Sequence, residues 1–157
     1  MTDLLIEDVQ SYPRPPALRA VQAPIRIVLG GEVVAQTSAA LAILETHHAP
    51  TYYIPRADIM AELSPADGRS FCEWKGRARY WNVTAGGTIA PRAAWDYPEP
   101  TETFAALKDH LAFYAAQMDA CFVGEEQAYP QAGGFYGGWV TSNLRGVVKG
   151  KPGTEHW

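Results

Sequence analysis

Ile25-Arg26-Ile27-Val28-Leu29-Gly30-Gly31-Glu32-Val33-Val34-Ala35 is the stretch on which the fold depends. Ile25, Ile27 and Leu29 alternate with Arg26 and Val28, and a second β-rich run resumes after the two glycines. A tight turn between antiparallel strands needs positive φ, which glycine adopts without steric cost. The stretch therefore predicts a hairpin.

The same grammar continues downstream. Residues 41–45 and 51–54 predict two more strands, separated by the turn-like His47-His48-Ala49-Pro50, with Pro55 ending the second. Asp58 is expected to cap a short helix over 59–63, stopped by Ser64-Pro65 and Asp67-Gly68. A further β region spans 78–84, Gly86-Gly87 turns it, and 88–95 returns. Pro91 marks that return as an edge strand or a bulge, because proline cannot donate to a ladder.

One long helix is expected next, capped by Thr101 or Thr103. Phe104, Leu107, Leu111, Tyr114 and Met118 recur at three- and four-residue spacing, with Glu102, Asp109 and Gln117 opposite. Upstream, Pro13, Pro15, Pro16 and Pro24 make residues 1–24 an extended arm. Downstream, residues 120–157 combine many glycines with Phe135, Tyr136, Trp139 and Trp157. That composition predicts an ordered but irregular extension packed on a core domain over 25–119. The sum is a mainly antiparallel β protein with one long helix, not an alternating βαβ fold.

Composition narrows the function classes. The chain has 157 residues, 13 basic against 17 acidic side chains and a net charge of −4. A nucleic-acid or acidic-membrane binder needs a basic field, which is missing. No apolar run approaches the ~20 residues of a membrane span, and the acidic start lacks a signal peptide's basic region. Cytoplasmic residence is the expectation. Cys72 and Cys121 stand alone, without a Cys-x-x-Cys pair, so no zinc is expected.

Chemistry-bearing residues concentrate in three places. In the segment 69–81 the cations Arg69, Lys75, Arg77 and Arg79 interleave with Trp74, Tyr80 and Trp81, against one acid, Glu73. Cations beside aromatic walls suit a planar anion. Strand parity puts Trp74, Gly76, Ala78 and Tyr80 on one face and Lys75, Arg77, Arg79 and Trp81 on the other, which also describes an ordinary amphipathic strand. In the segment 45–58, Glu45 offers a general base and Arg56 an anion clamp, or the two form a structural ion pair. Trp95 and Tyr97, in a Pro-bounded turn, read as recognition wall or as core. Cys72 reads as a nucleophile activated by Lys75 and Arg69, or as an inert thiol.

Three motifs now stand in order: Tyr52-Tyr53-Ile54-Pro55-Arg56-x-Asp58-Ile59, Cys72-Glu73-Trp74-Lys75-Gly76-x-Ala78-x-Tyr80-Trp81, and Ala94-Trp95-x-Tyr97-Pro98. With Gly30-Gly31-x-Val33-Val34-Ala35 and Leu111-Ala112-Phe113-Tyr114 they resemble domain-of-unknown-function family 427. The segment Gly134-Phe135-Tyr136-Gly137-Gly138-Trp139 resembles an extension of some members. The resemblance implies an antiparallel β-tent, or Mss4-like, architecture shared with methionine-R-sulfoxide reductases and the ligand-binding domain of cereblon. It implies no transferable activity. Zinc, held by Cys pairs in many such folds, is not carried over, and no paired carboxylates support a nucleotidyltransferase label.

Two function classes follow. The first is a site for an anionic, planar small molecule between two sheets, with Tyr53, Arg56, Trp74, Lys75, Tyr80, Trp95 and Tyr97 as ligand-binding residues and Glu45 or Cys72 for any chemistry. The second is a non-catalytic interaction or homodimerisation module. Finding Glu45, Arg56, Cys72 and Lys75 in one concave pocket favours the first.

Overall fold

The computed structural model describes residues 4–132, 136–150 and 154. Gly30 and Gly31 take φ of 61° and 77°, and Gly86 and Gly87 take 55° and 76°. Both glycine pairs thus make the tight turns that their flanking strands require. The two turns also meet. A Cβ on Gly30 would overlap the Ala85 carbonyl, and one on Gly86 would overlap the Gly30 carbonyl.

The strands are β1 (Glu7–Asp8), β2 (Ala17–Ala20), β3 (Ile25–Leu29), β4 (Glu32–Thr37), β5 (Leu41–Leu44), β6 (Thr51–Pro55), β7 (Glu62–Cys72), β8 (Gly76–Ala85), β9 (Thr88–Asp96), β10 (His110–Phe113), β11 (Ala120–Val123), β12 (Glu126–Pro130), β13 (Trp139–Val140) and β14 (Leu144–Arg145). Among the described residues they form a seven-stranded sheet, β2-β5-β6-β10-β9-β8-β7, and a five-stranded sheet, β13-β12-β11-β3-β4. A short parallel pair joins β1 to β14.

Burial explains why the sheets layer as they do. Ile25, Ile27, Val34, Cys121 and Val123 of the smaller sheet pack with Ile54, Trp81, Val83, Leu111 and Phe113 of the larger one. Burial in this apolar layer pushes the Cys121 thiol up to about 12. The opposite face of the larger sheet carries its own buried cluster, including Ile43, Tyr53, Ala78, Trp95, Tyr97 and Ala112, sealed by Phe104 and Leu107.

The long helix expected over 101–118 does not form. Glu102–Leu107 and Ala115–Gln117 are separate 3-10 segments, with β10 between them. Asp109 sits at φ 64°, and β10 pairs with β6 on one side and β9 on the other. A strand inserted at the centre of a sheet satisfies its backbone on both edges, which overrides a helical spacing. The apolar spacing that mimicked a helix is divided between two clusters: Phe104 and Leu107 enter the outer one, Leu111 and Met118 the one between sheets.

The expected helix over 59–63 is also absent. Asp58 ends a 3-10 turn and accepts from Thr37 Oγ1 at 2.6 Å, while Asp67-Gly68 lie at a register shift within β7. Pro91 lies in a bulge of β9: Trp81 pairs with Ala94 and Val83 with Ala90, so 91–93 face Asn82 alone. Phe135 and Trp157, noted in the sequence, lie outside the described residues. Among the described residues no helix is long and apolar enough to cross a membrane.

Candidate functional site

Glu73-Trp74-Lys75 form the turn joining β7 to β8, released into the strand by Gly76 at φ 113°. Thr101 clamps that turn: its Oγ1 donates to the Trp74 carbonyl at 2.6 Å and its N–H to the Lys75 carbonyl at 3.0 Å. Because Lys75 is in the turn, strand parity does not govern it, and it leaves the face expected for it. Its Nζ lies 5.8 Å from the Tyr97 ring centroid, and the residue is only 9% exposed. Among the described residues no carboxylate comes within 4 Å of that ammonium.

Parity does govern the aromatics. Tyr80 pairs with Trp95 across β8 and β9, and Tyr97 follows Trp95 just past the end of β9, at the same-face spacing of two residues. Tyr53 from β6 stands 6.4 Å from Trp95 and 6.3 Å from Tyr97, centroid to centroid. Tyr114 stacks tilted on Trp95 at 4.5 Å. Trp74, Tyr80, Tyr114 and Cys72 border this buried group. Burial, and then the nearby Tyr97, holds the Tyr53 phenol well above its ordinary value. Burial and the Cys72 thiol do the same for Tyr97. Burial and Tyr80 push Tyr114 up to about 12. The phenols are therefore neutral at physiological pH. Among the described residues no side chain hydrogen-bonds the Cys72 thiol.

Arg92 completes the face and was not singled out by sequence reasoning. Its guanidinium lies 4.2 Å over the Tyr80 ring, with no described carboxylate within 4 Å. Pro91 announced the bulge, and bulges re-aim side chains. Tyr114 was missed as a wall residue because it was assigned to a helical stripe.

Glu45 and Arg56 are placed elsewhere. Arg56 is exposed and stacks 4.9 Å over Trp81, on the sheet face opposite Trp95. Arg79 lies over the same indole at 5.0 Å and grips Asp96 with two bonds of 3.0 and 3.1 Å. Trp81 Nε1 donates to that carboxylate at 3.0 Å. Glu45 pairs with His48 Nε2 at 3.8 Å and Arg14 Nε at 4.0 Å, not with Arg56. One pocket holding Glu45, Arg56, Cys72 and Lys75 is therefore not what the chain builds.

The stretch between β12 and β13 touches the aromatic face at Gly137. Gly137 lies so close to Trp95 that a Cβ there would overlap the indole. Gln131 fixes this segment, accepting from Ala49 N–H at 3.0 Å and donating to the Lys149 carbonyl at 2.8 Å. Among the described residues no three His, Cys, Asp or Glu side chains gather as metal ligands.

A cleft of about 780 Å³ opens elsewhere, between β2 and the β11–β12 turn, lined among others by Leu5, Arg19, Val21, Tyr52 and Glu125. It holds the carboxylates Glu7, Glu125 and Glu126 against Arg19, which Glu7 already neutralises through bonds of 3.0 and 3.1 Å. Its charge is wrong for an anion, and none of the ligand-binding or catalytic candidates read from the sequence lines it.

Comparison with known proteins finds no match among curated sequences. A family model described as a domain of unknown function (DUF427) matches residues 17–124, which include β2 through β11 and every member of the aromatic face. The chain belongs to the domain-of-unknown-function 427 family.

Proposed function

We propose that the outer face of the seven-stranded sheet binds a small, planar, anionic molecule, its charge on Lys75 and its plane against Trp74, Tyr80 and Tyr97. The observation that carries this reading is Lys75, a residue only 9% exposed whose ammonium lies 5.8 Å from the Tyr97 ring with no carboxylate within 4 Å among the described residues. Covering most of a lysine side chain weakens the hydration of its charge. A cation–π contact returns only about 0.5–2 kcal/mol. The local balance lacks an anion, and a bound ligand would supply it.

The test is a thermal-shift panel of benzoate, 2-naphthoate and cyclohexanecarboxylate on the wild type and Lys75→Gln. The planar acids are expected to raise the midpoint of the wild type and not of the variant, and the non-planar acid to do neither. Equal stabilisation of both proteins, or by all three acids, would contradict the proposal.

A further inference from the structure

The cleft between β2 and the β11–β12 turn lies on the other side of the larger sheet from the aromatic face. Neighbouring residues of β6 point to opposite faces: Tyr53 joins the outer cluster, and Tyr52 packs between the sheets, its ring 5.2 Å from that of Trp139. Tyr52 is 6% exposed and lines the cleft, yet its hydroxyl makes no hydrogen bond among the described residues. Burial first, and then the charge of Glu7, raise its pKa to about 12, so the phenol stays protonated. Buried hydroxyls are ordinarily paired, because an unmet one has given up its hydration for nothing. This one is left open at the wall of a cavity of about 780 Å³.

The cleft is a built one. Asn143 holds the wall formed by residues 4–7: its Nδ2 donates to the Leu5 carbonyl at 2.8 Å, and its own carbonyl accepts from Glu7 N–H at 3.0 Å. Leu5, Val21 and Val123 give the lining apolar surface, and a cavity of this size suits a small molecule. Its charge is one-sided. Arg19, the one cation among the lining residues, is already engaged with both oxygens of Glu7, which also accepts from the Tyr12 hydroxyl at 2.9 Å. Glu125 and Glu126 remain. Glu125 is exposed and makes no ion pair or hydrogen bond among the described residues. Glu126 accepts from Ser142 N–H and, at 2.8 Å, from Ser142 Oγ, bonds that leave its charge in place, and that charge is felt at the Tyr52 phenol. An apolar cavity thus carries two uncompensated carboxylates and one unmet hydroxyl.

We propose that this cleft binds a primary organic amine, its ammonium toward the Tyr52 hydroxyl and the Glu125 and Glu126 carboxylates and its apolar body along Leu5, Val21 and Val123. The three polar groups all offer acceptor oxygens, which a primary ammonium meets with three N–H donors and a quaternary one with none. The site is separate from the anion site of the aromatic face and does not depend on it.

The matched probes are 4-phenylbutylamine, its N,N,N-trimethyl derivative, 4-phenylbutan-1-ol and 4-phenylbutanoate, titrated calorimetrically into wild type, Tyr52→Phe and Glu125→Gln. Tyr52→Phe keeps the ring against Trp139, Glu125→Gln alters an exposed side chain, and circular dichroism confirms that each is folded. The amine is expected to bind the wild type about tenfold or more tightly than the alcohol or the quaternary ammonium, and the carboxylate is expected not to bind. Tyr52→Phe should weaken the amine about tenfold. Glu125→Gln, which removes an exposed charge, should weaken the amine about threefold and leave the alcohol unchanged. Equal affinities for amine and alcohol would reduce the cleft to an apolar groove and overturn the proposal. Equal affinities for the primary and quaternary amines, or unchanged amine affinity in Tyr52→Phe, would overturn it by removing the hydrogen-bonded headgroup. Tighter binding of the carboxylate, or no saturable binding of the amine, would overturn it outright.

Discussion

The ammonium of Lys75, a residue only 9% exposed, stands 5.8 Å from the centroid of the Tyr97 ring, with no carboxylate within 4 Å among the described residues. The pair is arranged for something other than stability. A fold optimised only to persist would place an apolar side chain of the same length there.

Lys75→Met is accordingly expected to stabilise the unliganded protein. Methionine keeps the aliphatic stem and removes the charge. The gain should be about 1–2 kcal/mol, or a rise in Tm of roughly 2–8 °C for a domain of this size. Urea unfolding of the two proteins measures it. A less stable variant would mean that the ammonium is already satisfied.

The meeting of the two glycine turns makes a contrast between neighbours. Gly30→Ala and Gly86→Ala each drive a Cβ into a backbone carbonyl of the other turn, on top of a positive φ. Each should cost about 3 kcal/mol or more. Gly31→Ala and Gly87→Ala meet nothing within 4 Å, so only the φ penalty of about 1 kcal/mol applies. Tm values for the set of variants check the ordering. Equal losses within each turn would show that the turns do not bear on one another.

His48 sets an acid limit. Burial lowers its pKa below 6.5; Glu45 pulls the other way, and Lys149, Arg14 and Lys75 add to the lowering. The unfolded chain then binds the proton that the folded chain resists. The stabilisation from keeping His48 neutral is complete above the unfolded value of about 6.5 and is lost as pH falls from there through the lowered folded value. Between pH 7.5 and 5.5 the wild-type midpoint should fall further than that of His48→Gln. Parallel profiles would remove His48 from the balance.

The sequence made the hairpins legible because Gly30-Gly31 and Gly86-Gly87 encode their φ angles directly. It concealed β10 because a strand central to a sheet is buried on both faces and shows no alternation: Leu111, Ala112 and Phe113 are all buried. Only the partners β6 and β9 reveal it, and they are distant in sequence. Parity made the shared face legible at Tyr80, whereas the Pro-bounded turn left Trp95 and Tyr97 as wall or core with no face assigned. The candidate site was misassigned at Lys75, which a turn frees from parity, and at Arg56, which lies on Trp81 across the sheet. Arg92 was hidden because its direction is set by a bulge whose geometry depends on Asn82 and Gln117.

The most direct measurement is a ¹H–¹⁵N spectrum of the indole Nε1–H resonances, assigned by single Trp→Phe variants, during titration with 2-naphthoate. Trp74 and Trp95 belong to the aromatic face, whereas Trp81 donates to Asp96 and Trp139 to the Phe113 carbonyl. Saturable shifts of Trp74 and Trp95, with Trp81 and Trp139 unmoved and all shifts lost in Lys75→Gln, are the expected result. Shifts confined to Trp81 or Trp139, or unchanged by the loss of Lys75, would place any anion site off this face.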